Sequence, residues 1–71
     1  MPQFDPELIQ LMRSALDEVM TTVPAKYSTL ATKTYLAEGI LKAAAQGQTS
    51  YDGLVSAATD RVQDIIKLLF T

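Results

Sequence analysis

The apolar positions fall into three runs, each with the three-and-four spacing of a helix and each bounded by residues that start or stop one. In the first run Leu8, Ile9, Met12, Ala15, Leu16, Val19 and Met20 recur along one side, and with Leu11 they cover about half of a helical wheel. Asp5 can cap this helix by accepting from the orphan N–H groups of the first turn. Pro6 stands at the first helical position, where its missing N–H costs nothing, and Glu7 puts negative charge at the positive end of the dipole. Phe4 and Ile9 have the spacing of a hydrophobic staple. Pro24 disfavours helical geometry at Val23, so the first helix is predicted over 6–22.

Ala25 to Thr29 reads as a connector in which Ser28 or Thr29 caps a second helix over 29–46, with Gly47 as its left-handed stop. Its apolar arc is Leu30, Leu36, Ala37, Ile40, Leu41, Ala43 and Ala44, and the alanines allow a neighbouring helix to come close. Gly39 interrupts this helix at a cost of about 1 kcal/mol relative to alanine; the wheel places it off the arc, beside Tyr35, Lys42 and Gln46. The third helix is predicted over 50–69, with Thr49 and Asp52 as a weak capping box. Tyr51, Leu54, Val55, Ala58, Val62, Ile65, Ile66 and Leu69 form its stripe, and Asp52, Ser56, Asp60, Gln63, Asp64 and Lys67 its polar face. The short connection after Gln46 makes helices two and three antiparallel neighbours. The pattern therefore predicts one all-α domain over 1–71, an up-down-up three-helix bundle, with the option of a core shared across a homodimer.

Composition sharpens this picture. At 71 residues a single core buries only about 60% of the unfolded chain's surface, and without Cys or His neither a disulfide nor the usual zinc site can add support. Close helix packing or oligomerisation must supply it. A hydrophobic fraction of 48% with 20% charged residues is that of an ordered globular chain. The net charge of −2 argues against nucleic acid and anionic membranes as partners. The first residues lack the basic and apolar regions of a signal peptide, and no apolar run is long enough to span a bilayer, so a full-length cytoplasmic protein is expected.

Candidate chemistry is sparse. Asp60 and Asp64 share a helix face, but it is the solvent face, with Arg61 and Lys67 nearby to offset their repulsion. Arg13 with Asp17, and Glu38 with Lys42, have the spacing of ordinary surface pairs. There is no imidazole to activate a nucleophile, no phosphate-cradling glycine loop and no ligand cluster, so no enzyme activity, catalytic residue, cofactor, metal or small-molecule site is expected. Helices two and three have the outline of a helix-turn-helix. However, Gly53 stands where an apolar lock is expected, and the exposed Asp52, Ser56 and Asp60 would face a polyanion.

Two surfaces carry more apolar area than a solvent face needs. Ile66, Leu68, Leu69 and Phe70 form an apolar C-terminal turn that a monomeric bundle buries only if the other helices cover both its flanks. Tyr35 and Gly39, with Ala31, make a stripe in which the tyrosine can anchor a contact and the glycine can admit a close backbone. Both patches point to protein partners, first of all a second copy of the chain. The alternative reading is a helical nucleic-acid-binding regulator. The stretches Asp17 to Thr22, Ala31 to Ala45 and Gly47 to Leu54 resemble a group of short uncharacterised bacterial α-helical proteins. That resemblance implies a bacterial cytoplasmic source and brings neither an activity nor functional residues.

Overall fold

Short-range hydrogen bonds of the termini decide where each helix begins and ends. The protein is described by a computed structural model over residues 5–69, Leu69 by its backbone alone; Phe4, and with it the expected staple, lies outside the described residues. The order is α1 (Pro6–Met20), a single 3₁₀ turn (Ala25–Tyr27), α2 (Leu30–Ala45) and α3 (Tyr51–Leu69). Asp5 caps α1, its Oδ1 accepting from the Glu7 N–H at 2.9 Å. The helix stops two residues before the predicted Thr22. The Thr21 and Thr22 hydroxyls donate back to the Glu18 and Val19 carbonyls at 2.6 and 2.7 Å, and the backbone there has tightened to bonds three residues apart.

Thr29 is the cap of α2, its hydroxyl oxygen accepting from the Thr32 N–H at 3.2 Å. At the other end the Gln48 N–H reaches the Ala43 carbonyl at 2.9 Å and the Gly47 N–H the Ala44 carbonyl at 3.1 Å. This paired closure needs the left-handed Gly47, whose φ is +99°. The cap of α3 is Ser50 and not the expected Thr49. Gln48 Oε1 accepts the Ser50 hydroxyl at 2.9 Å, leaving the serine oxygen to accept from the Gly53 N–H at 3.1 Å. Asp52 is consequently a first-turn acid favoured by the helix dipole and no part of a capping box.

The three helices form an all-α up-down-up bundle in which α3 lies against both α1 and α2, while α1 and α2 touch each other less. One apolar cluster joins them: Met12, Ala15, Val19 and Val23 from the first segment, Leu36, Ile40 and Ala44 from α2, Leu54, Ala58 and Val62 from α3. Leu36, Ile40, Leu54 and Val19 are fully buried. Each such side chain contributes about 1.5–3 kcal/mol through removal from water. Ala15 and Ala58, with no exposed surface, keep the helices close where they cross. The core is narrower than the apolar arcs of the sequence. Ile9 and Leu41 are more than two-fifths exposed, and Leu30, the first residue of α2 and on its flank, is 80% exposed.

Tyr51 ties the start of α3 to α1. Its hydroxyl lies 3.5 Å from the Ser14 carbonyl, at the far limit of a hydrogen bond. Desolvation raises the phenol pKa above its ordinary value, and the neighbouring Glu18 carboxylate raises it further by charge and hydrogen bonding. A folded-state pKa above the unfolded one means that this group favours the fold below the ordinary phenol range of about 10 and loses that contribution as pH rises through the folded pKa. The difference in phenolate absorbance between the protein and Tyr51→Phe should therefore titrate above pH ~10. Equality with free tyrosine would remove the assigned cause.

Packing makes a second expectation. Leu36→Ala should lower unfolding stability by about 2–5 kcal/mol in urea melts, whereas Leu30→Ala should change it by less than about 0.5 kcal/mol.

Candidate protein interaction surface

The sequence sets Gly39 on an outward face, and the structure turns that placement inward. Gly39 is buried beneath the side chain of Arg61, which crosses from α3 to α2. The guanidinium carbon sits 4.5 Å from the centroid of the Tyr35 ring, the Arg61 Nη1 donates to the Tyr35 carbonyl at 3.1 Å, and it stands 3.8 Å from the Glu38 carboxylate. A Cβ on Gly39 would lie 2.7 Å from both Arg61 Cδ and Nε. The close approach that a mid-helix glycine allows is thus made by a side chain of the same molecule. Arginine suits this place, because its stem covers the bare helix while its planar head stacks on an aromatic ring and still donates.

Two expected ion pairs change with it. Glu38 is paired with Arg61 and not with Lys42, and Arg13 forms no ion pair with Asp17 or with any other described residue. Tyr35 keeps 36% of its surface in solvent. Gly53 has a similar cover: the Gln48 side chain occupies the space where its Cβ would stand.

The C-terminal patch divides. Ile66 is half-buried against the core cluster, and Leu68 is 78% exposed beside a hollow that it lines with Ile65, Tyr27 and Lys26. The Leu69 side chain and Phe70 lie outside the described residues.

A surface that was not singled out in the sequence lies between α1 and α2, on the side away from α3. Because these two helices meet less closely than either meets α3, a groove of about 320 Å³ opens between them. Ile9, Met12 and Leu16 line one wall, Ala37, Ile40 and Leu41 the other, and Arg13 is its one charged residue. Beyond the groove, Leu41 borders a hollow with Glu38, Ala45 and the cations Lys42 and Arg61, and Glu38 borders another with Leu30, Ala31, Thr34 and Tyr35. The hint in the sequence was the width of the apolar face of α1, too broad for one buried seam.

A further hollow, about 540 Å³, lies by the α2–α3 turn, with Gln46, Gln48, Ser56 and Asp60 in its lining. Its polar groups stand in water. Among the described residues no polar or charged side chain is buried, no group of three potential metal ligands gathers, and no helix is long and apolar enough to cross a membrane. The fold and surface together define a small all-α chain with apolar area in excess of its own core. No family model, curated protein or solved structure matches it.

The Arg61 contact gives a test of the glycine. Alanine in a helix is worth about 1 kcal/mol more than glycine, so Gly39→Ala should recover that gain in an Arg61→Ala background. With Arg61 present the substitution should be neutral or destabilising. A double-mutant cycle on urea melts measures the difference, and equal effects in both backgrounds would mean that Arg61 does not depend on the glycine.

Proposed function

We propose that this chain is a small non-enzymatic helical domain that works by binding protein, and first of all by binding a second copy of itself. One observation carries the reading: of the five large apolar side chains left exposed among the described residues, Ile9, Leu30, Tyr35 and Leu41 belong to α1 or α2, and Ile9 and Leu41 line one continuous groove. Apolar area gathered in this way favours association, and a chain of this length gains from it, since its own core is small. The exposed side of α3, with Asp52, Ser56, Asp60, Gln63 and Asp64, is the solvent face in this reading.

A nucleic-acid role has less support, because the exposed side of α3 is mostly acidic and the adjacent Arg61 is taken up by Tyr35 and Glu38. The proposed setting is a bacterial cytoplasm, as the resemblance of the sequence to short bacterial helical proteins implies.

Light scattering on a size-exclusion column over about a hundredfold range of concentration should give the mass of a dimer at the upper end, with dissociation on dilution. A monomer throughout would refute self-association.

A further inference from the structure

We propose that two copies join through the α1–α2 groove about a two-fold axis running along the bundle, so that α1 of each lies on α2 of the other and Arg13 of one meets Glu38 of the other. The inference rests on the self-association reading and specifies where and how the copies meet.

Charge placement selects this arrangement. Arg13 is the middle residue of α1, and Glu38 stands at the middle of α2. The two helices are antiparallel, and Arg13 lines the groove together with Ala37 and Leu41, which flank Glu38 by one and three positions, so both charges stand at the same height along the bundle. Arg13 has no ion pair with any described residue, and the Glu38 carboxylate side chain is 65% exposed despite its long contact with Arg61.

Two face-to-face arrangements bury the groove symmetrically. With the axis across the bundle at the height of Arg13, each α1 lies on its own symmetry mate, and the two Arg13 side chains meet at the centre of an apolar contact. That juxtaposition of like charges is unfavourable. With the axis along the bundle, α1 lies on α2 in antiparallel pairs, and each Arg13 comes over the turn that carries Glu38. The contact is isologous, so the pair occurs twice. Ile9, Leu16 and Leu41 of both copies then close the groove as the inner seam of a four-helix layer, with α3 of each copy on the outside.

The test is a charge exchange with dimer dissociation constants from sedimentation equilibrium and helicity from circular dichroism. Arg13→Glu and Glu38→Arg should each weaken the dimer about tenfold or more, since each replaces two attractions by two repulsions. The double variant should return to within about threefold of the wild type. Glu38→Arg also places a cation beside Arg61, but that penalty lies within one chain and is the same in the single and double variants, so recovery isolates the contact between copies. Leu41→Ser should abolish dimers while keeping wild-type helicity, because Leu41 is already half in solvent in the monomer. A wild-type monomer would overturn the inference together with self-association. A wild-type dimer that is indifferent to Leu41→Ser, or that shows no recovery in the double variant, would overturn this seam alone and move the contact elsewhere, with the exposed Leu68 as the next surface to vary.

Discussion

Everything in this fold leans on α3. Leu54, Ala58 and Val62 are the contribution of α3 to the apolar cluster, and α1 and α2 each meet α3 more fully than they meet each other. The consequence is geometric. A helix driven into the crease between two neighbours holds them apart on the far side, and the groove lined by Ile9, Leu16, Ala37 and Leu41 is the outer side of that crease. The buried seam and the open groove are therefore two results of one packing choice. The small residues Ala15 and Ala58 let α3 approach, and the larger Leu36, Ile40 and Leu54 fill the interior that remains.

Two glycines show how a helix accommodates the side chains of its neighbours. At Gly39 the Arg61 stem lies across bare backbone, and at Gly53 the Gln48 amide does. Neither glycine has a positive φ, so what each supplies is room and not an unusual backbone. The loss of helix propensity at Gly39 is offset by an arginine that stacks, donates and pairs at once on Tyr35 and Glu38. At Gly53 the same device helps to seat Gln48, which in turn orients the Ser50 cap. The cover at Gly39 is tertiary, whereas the one at Gly53 is local, set by a loop side chain five residues before it.

This difference marks what could be read along the chain and what could not. The number of helices, their direction and the caps at Asp5, Thr29 and Gly47 were legible, because each follows from residues within one turn of each other. The cap at Ser50 was not legible, since it depends on the Gln48 side chain folding over Gly53. The Arg61 seat was invisible for a similar reason: a wheel shows which residues share a face of one helix, but not which neighbour occupies that face. The wheel also drew the arc of α2 too wide, counting Leu30 and Leu41 as interior. Of the surface itself, only the excess of apolar residues was legible; its location between α1 and α2 depends on how deeply α3 inserts.

Arg13 is exposed in the single chain, so its charge stays in water there although it borders an apolar groove. Its placement becomes intelligible if the groove is a seam. Apolar area attracts without direction, so two copies of a smooth groove could join about either axis with little to choose between them. A charge at the centre, with its complement on the other helix, lowers the affinity gained per unit area but separates the two arrangements by the difference between repulsion and attraction. In coiled coils one polar residue at a core position sets register in a comparable way. In the proposed dimer Arg13 opposite Glu38 would be an economical form of that control, because one residue on each helix, repeated by symmetry, would fix the orientation of both copies.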